Sequence, residues 1–186
     1  MRHVFLPVFL AFSIFTASAA PAMNAQQGEY AAARTEPARQ FQSLDVASIE
    51  VQKKLRRMYL LDKDGKVLTT YEISLGNQPV GPKEREGDGK TPEGKYHISF
   101  RNPKSDYYRS LRISYPNEED LARAEKMGVS PGGDIYIHGK PNFKFWMFWK
   151  YNKTKDWTNG CIAVNDKDMK EMWELVAEGT PIEIKP

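Results

Sequence analysis

Gly76 to Gly94, GNQPVGPKEREGDGKTPEG, limits the folds open to this chain more than any other stretch. Its glycines, prolines and charges sustain neither a helix nor a strand, so it reads as a long exposed loop. What flanks it is β-type. Upstream, SIEVQKKLRRMYLLD, the turn DKDG and KVLTTYEISLG form a strand–turn–strand pattern, with Val67, Tyr71, Ile73 and Leu75 as β-formers. Downstream, GKYHISF returns to alternation, and after a loop at NPKSDYY come the short strand LRISY and, beyond SPGGD, the strand IYIHG. Two small helices are expected late in the chain. The first has Asn117 as N-cap, Glu118 and Glu119 in its first turn and Gly128 after its last. The second runs from about Asp166 to Ala177, with Asn165 as cap and Met169, Met172, Trp173 and Val176 on one face. PIEIKP reads as a closing strand. Short strands, long loops and two helices in 186 residues of 40% hydrophobic content predict one mainly β or α+β domain with its own core.

The first residues carry a different signal. Arg2 and His3 precede an apolar run from Val4 to Phe15, followed by small residues at Ala17, Ser18, Ala19 and Ala20. This is the pattern of a secretory signal peptide over residues 1–19, with cleavage somewhere in 19–25. The run is shorter than the ~20 apolar residues of a membrane span, so no transmembrane segment is expected in the mature chain. No cysteine follows it, which closes the lipoprotein route. Residues 20–46 are rich in Ala, Gln, Pro and Glu without a sustained apolar period and read as a flexible linker, leaving 47–186 as the folded domain. The formal charge of +3 is mild. It argues against a nucleic-acid partner, which requires a concentrated basic stripe.

Export sharpens the meaning of the only cysteine, Cys161. Oxidising compartments use cysteines in pairs, so an odd one is either an intermolecular bridge or a free reactive thiol. A dithiol redox role is excluded by the count. Beyond His3, the remaining borderline metal ligands are His97, His138 and Cys161, too widely spaced for a metal-binding motif, so no metal is expected. Nucleophilic catalysis requires a thiolate, a base within reach and backbone donors for an oxyanion. Gly160, just before Cys161, permits a tight turn that presents the thiol, and His138 at the end of IYIHG is the natural base, with the Gly139 carbonyl able to orient it. The plainer alternative is that Cys161 is a small buried hydrophobe in GCIAV and His138 a satisfied strand-end histidine. Their coexistence in an exported chain without a second cysteine favours chemistry. His97, between Tyr96 and Ile98, is assigned a structural role.

IHG followed by WTNGCIAVND resembles the signature of the murein L,D-transpeptidase catalytic domain, in which a histidine-glycine strand end precedes an [ST]-x-G-C motif. TPEGKYHI resembles that family's TP-x-G-x-[YF] strand, and the likeness runs from about Ala47 to Pro186. It is greatest to the periplasmic Gram-negative branch with the DWTxGCIAV form. The resemblance implies a β-sandwich-like domain with small helices that requires no cofactor. It implies that Cys161 attacks the diaminopimelate carbonyl of a peptidoglycan tetrapeptide, expels D-Ala and forms a thioester, with His138 as base. A stem amine or a lipoprotein lysine would then take the acyl group. The Cys161 and Gly160 N–H groups would line the oxyanion hole, Gly139 would orient His138, and Trp157, Thr158, Asn159 and Trp146 would contact substrate.

Two positions depart from the family pattern. Many members have histidine immediately before the Gly-Cys pair and arginine two residues after the cysteine, where this chain has Asn159 and Ala163. The absent guanidinium is one that could hold a substrate carboxylate. The same fold therefore also accommodates an amidase or L,D-carboxypeptidase that hydrolyses stem or lipoprotein–stem amides, and a third reading is a wall-binding module without catalysis. FKFWMFWKY, Phe143 to Tyr151, is read as a lid or subsite wall beside the thiol, with core packing as its alternative and a membrane-surface role third.

Overall fold

A computed structural model describes residues 44–142 and 156–186. Eight strands follow in chain order: β1 (Ser48–Gln52), β2 (Arg57–Leu61), β3 (Val67–Glu72), β4 (Gly94–Asn102), β5 (Ser110–Ile113), β6 (Tyr136–His138), β7 (Ile162–Ala163) and β8 (Pro181–Lys185). Helix α1 (Glu118–Met127) lies between β5 and β6, and α2 (Asp166–Leu175) between β7 and β8. The strands form one curled sheet in the order β3-β2-β1-β8-β4-β5-β6-β7. Pairing is antiparallel except for β1 with β8 and β6 with β7. The fold is thus mostly strand with two small helices, as the sequence predicts.

The alternation that makes these strands also makes the core. Ile49 and Val51 of β1, Met58 and Leu60 of β2, and Ile182 and Ile184 of β8 point inward while their neighbours are partly exposed. Helix α2 lays Met169 and Met172 into the same cluster, and Val176 caps it. The outer strands do not end as free edges. Ser74, just past β3, bridges to Ala163 of β7, and Gly76 bridges to Thr158, so the curled sheet meets itself beside the segment that carries Cys161.

The first run departs from the strand–turn–strand reading: SIEVQKKLRRMYLLD is two strands, not one, with a turn at Lys53–Arg56. Lys53 is in phase with buried Ile49 and Val51, so a straight continuation would drive its ammonium into hydrocarbon. The chain turns instead, and Lys53 Nζ donates to Gly81 O at 2.7 Å, Thr91 O at 2.9 Å and Glu93 Oε1 at 2.8 Å. These acceptors belong to the loop read as exposed, which is therefore partly interior: Lys83 and Thr91 are buried, and Lys83 pairs with Asp88 at 2.8 Å.

Helix α1 has the expected caps. The Asn117 side chain accepts from Asp120 N–H, the Asp120 carboxylate accepts from Asn117 N–H, and Gly128 is left-handed at φ 65°. Helix α2 is two residues shorter than expected because Val176 is already extended, and Asn165 donates its side-chain amide to Asp168 at 2.7 Å rather than capping the helix. Among the described residues no helix is long and apolar enough to cross a membrane.

Because β8 is sandwiched between β1 and β4, its side chains have no alternative packing. Ile184→Ala is expected to lower unfolding free energy by about 2–5 kcal/mol, measured as a shift in urea midpoint with little change in m-value.

Candidate active site

Strand parity decides what faces outward. In β6 and the residue before it, Ile137 and Ile135 are buried among the core side chains, whereas Tyr136 and His138 line a cleft of about 470 Å³. In the segment through β7, Ile162 and Val164 enter the core while Cys161 lines the cleft. The parallel ladder pairs Ile137 with Ile162 and His138 with Ala163, which brings the histidine and the cysteine to one wall although they are far apart in sequence. Ser110 of β5, opposite His138, lines the cleft with Asn102, Asp106, Tyr107 and Asp134.

His138 is buried, and its Nδ1 lies 2.7 Å from the Gly139 carbonyl. A carbonyl only accepts, so Nδ1 carries the proton and Nε2 the lone pair. Glycine is required beside it: a Cβ on residue 139 would lie 2.7 Å from Asp166 Oδ1 and 3.2 Å from Tyr107 O. The Tyr107 ring packs 4.5 Å from the imidazole centroid, and the Trp157 ring meets it edge-on at 5.6 Å. This enclosure pushes the His138 pKa below the ordinary histidine range through burial, opposed by the Gly139 hydrogen bond.

Cys161 is half-buried. Burial pushes its thiol pKa up, against a hydrogen bond from the Tyr136 N–H that favours the thiolate and a smaller contribution from the Lys83 charge; Asp134 adds to the upward shift. The thiol donates to the Asp134 carbonyl at 3.6 Å. Asp134 holds a left-handed conformation, φ 54°, and its carboxylate pairs with Arg112 at 3.3 Å. Burial thus moves both groups toward their uncharged forms, the thiol at Cys161 and the imidazole at His138.

The turn before Cys161 is built from Thr158 and Gly160. The Thr158 hydroxyl donates to Cys161 O at 2.6 Å and accepts from Gly160 N–H at 3.1 Å. Gly160 has φ 129°, and a Cβ there would lie 2.7 Å from Lys90 O, so only glycine fits. The Gly160 N–H is thus given to the Thr158 hydroxyl within the turn. Trp157 and Asn159 also line the cleft, and Thr158 contributes its buried side chain to the same wall. Trp146 and the aromatic run Phe143 to Tyr151 lie outside the described residues. His97 is exposed on β4, away from the cleft lining. Among the described residues no group of three or more His, Cys, Asp or Glu side chains is placed to hold a metal ion.

Tyr107, Asp134 and Tyr136 are site residues that sequence reading missed. Tyr107 lies in the segment read only as a loop, and Asp134 and the Tyr136 N–H act through the backbone, which leaves no mark on residue type. The alternation of IYIH was the one available signal, since it puts Tyr136 on the His138 face.

Comparison with known proteins agrees with this geometry. YafK of Escherichia coli (strain K12) is 36% identical over 134 residues, covering 69% of this chain and 46% of YafK, so the chain spans about half the length of the curated relatives it matches. Among solved structures, the helical cell shape determining protein Pgp2 from Campylobacter jejuni superposes with a TM-score of 0.58 at 26% identity, over 75% of this chain and 47% of Pgp2. The L,D-transpeptidase of Xylanimonas cellulosilytica shares the fold at a TM-score of 0.51 and 17% identity, over 77% of this chain and 62% of that structure. The profile of the L,D-transpeptidase catalytic domain, YkuD, matches residues 47–184, nearly all of the curled sheet, and the chain belongs to that family.

Proposed function

We propose that this chain is an exported, cysteine-dependent L,D-transpeptidase acting on the stem peptides of peptidoglycan in the periplasm. The observation that carries the reading is that one cleft wall is lined by both Cys161 and His138, with the His138 Nδ1–H tied to Gly139 O. That tautomer leaves Nε2 as the only ring nitrogen able to accept a proton. Family membership and the likeness to a cell-shape protein support the substrate class.

In this mechanism the thiol turns from the Asp134 carbonyl toward His138 and passes its proton to Nε2 as sulfur attacks the diaminopimelate carbonyl carbon. The developing oxyanion is held by the Cys161 N–H, in the conformation that Thr158 and Gly160 impose. The C–N bond to D-Ala breaks, its nitrogen takes the proton from the imidazolium, and a thioester remains. An amine from a second stem or a lipoprotein lysine then attacks the thioester, gives a proton to His138, and the C–S bond breaks to restore the thiol. Water in place of the amine gives hydrolysis. Trp157 and Asn159 are proposed to contact the stem. The position occupied by arginine in many relatives is Ala163, buried and bridged to Ser74, so it offers no guanidinium to a substrate carboxylate. The hydrolase of the same fold is the second reading. Residues 1–19 are proposed as the export signal and 20–46 as a linker.

Incubation of the purified protein with disaccharide-tetrapeptide, with and without a free amine acceptor, is read by mass spectrometry. A thioester on Cys161 with loss of D-Ala, passing to the amine, is the expected result. Tripeptide without amine incorporation would assign hydrolysis instead, and Cys161→Ala should lose at least about 1,000-fold in rate. Retained turnover in Cys161→Ala would overturn the cysteine mechanism.

The pH profile has a definite sign. Burial disfavours the imidazolium, so the base stays unprotonated to lower pH, and the acid limb of kcat/KM is expected below the ordinary histidine value of ~6.5. Burial also disfavours the thiolate, so alkylation of the free protein by iodoacetamide should keep rising beyond the ordinary cysteine value of ~8.5, well after kcat/KM has levelled. Superimposable profiles for the two measurements would contradict base-assisted attack.

A further inference from the structure

The turn that separates β1 from β2 lies outside the cleft lining, yet it grips both segments that support Cys161. On one side Arg56 forks onto Asp156: Nε reaches both carboxylate oxygens at 3.1 Å and Nη2 reaches Oδ2 at 2.7 Å. The same carboxylate accepts the Leu75 N–H at 2.9 Å, and the Leu75 carbonyl accepts from both Trp157 N–H and Thr158 N–H at 3.1 Å. Thr158 is the residue whose hydroxyl fixes Cys161 O. On the other side Lys53, 2% exposed, donates to the carbonyls of Gly81 and Thr91 and to Glu93, pinning the loop from 81 to 93.

That loop is the floor under the nucleophile. Thr91 Oγ1 accepts the Gly76 N–H at 3.0 Å. A Cβ on Gly76 would lie 2.1 Å from Gly89 O and 3.1 Å from Gly160 Cα, and one on Gly160 would lie 2.7 Å from Lys90 O. Three backbone segments therefore touch without side chains between them, and a shift in the loop is transmitted directly to Gly160. Arg56 ties the two grips together: its Nη1 donates to Lys53 O, and its own N–H donates to Lys53 O at 3.2 Å.

We propose that Lys53 and Arg56 are positioning residues for Cys161, one holding the Gly81-to-Glu93 loop beneath Gly160 and the other holding Asp156 at the start of the nucleophile turn. The inference rests on the reading of Cys161 as the attacking group. A neutral apolar pair of the same volume would fill the space as well, but would not orient the Asp156 carboxylate or three separate acceptors. The roles are geometric, so loss of either residue is expected to act chiefly on the rate of attack, through the placement of the Cys161 turn.

The test uses Arg56→Gln, Arg56→Lys and Lys53→Met in the full chain, with Leu60→Ala in β2 as a core control that loses stability away from the turn. All are assayed at a temperature where near-ultraviolet circular dichroism shows them folded. With disaccharide-tetrapeptide, Arg56→Gln and Lys53→Met are expected to lower kcat about 10- to 100-fold with KM within about twofold, while Arg56→Lys recovers part of the loss and Leu60→Ala stays near the parent. Iodoacetamide gives a substrate-independent reading of the single thiol. Its reaction with Cys161 at about pH 8 should change several-fold in Arg56→Gln as the turn that carries the sulfur shifts from its place against the Asp134 carbonyl, and remain unchanged in Leu60→Ala. Should Lys53→Met fail to fold, the more exposed Arg56 decides the matter through its two variants. Parent kcat and parent alkylation per folded molecule in Arg56→Gln would overturn the inference. That failure is distinct from activity in Cys161→Ala, which would remove the proposed function itself.

Discussion

The two-residue parallel ladder between β6 and β7 is the constraint on which the cleft depends. Ile137 opposes Ile162 and His138 opposes Ala163, so one hydrophobic pair sets the register and thereby the position of the histidine relative to the cysteine. A slip of one residue would turn Ile162 toward solvent and Cys161 into the core, because side chains alternate with period two. So short a ladder has little stability of its own. It is held from the far side by Ser74, whose N–H and carbonyl pair with the Ala163 carbonyl and N–H at 2.9 and 2.8 Å, and from beneath by a hydrogen bond from Val164 N–H to His138 O at 2.9 Å.

Those supports come from distant parts of the chain, which makes the site a product of the whole domain. Strand β8, the last in sequence, lies between β1 and β4, the first segment and a middle one. The sheet is complete only when the C-terminal residues have returned to its centre, and Ser74 meets Ala163 only when the sheet has curled. Contacts of this sequence separation form slowly. They are stabilised mainly by the buried aliphatic faces, with polar burial confined to places such as Lys53 and Lys83 where carbonyls and a carboxylate receive the ammonium.

The parts of this arrangement that were legible in the sequence are those written in residue type. Asn117, Glu118, Glu119 and Gly128 spell out α1 because capping chemistry is local. The alternation of SIEVQ, GKYHISF and PIEIK spells out strands, and the rarity of cysteine and histidine singles out Cys161 and His138. What was not legible depends on partners far along the chain. GCIAV is too short to declare itself a strand until β6 and Ser74 flank it. Lys53 reads as a surface lysine because its acceptors are main-chain oxygens of a loop, and carbonyls are the same in every residue. Tyr107 could not be matched to His138 from sequence because the contact is made across β5, between a loop and a strand end.

Under the proposed export, the direction in which burial moves the two titratable groups bears on how a lone thiol would persist in an oxidising compartment. Oxidants react with the thiolate, so a cysteine kept protonated by burial and hydrogen-bonded to the Asp134 carbonyl is protected at rest. The same burial keeps His138 neutral and therefore able to accept a proton at neutral pH. An ion pair formed in advance, thiolate with imidazolium, would be ready to attack but continuously open to oxidation. In the proposed mechanism a neutral pair separates the two properties: the base stays available, and the sulfur would become nucleophilic only as it passes its proton to His138. Burial, to which the Tyr107 and Trp157 rings contribute at His138, moves the imidazole toward its uncharged form, so the packing that fixes the geometry also bears on the charge.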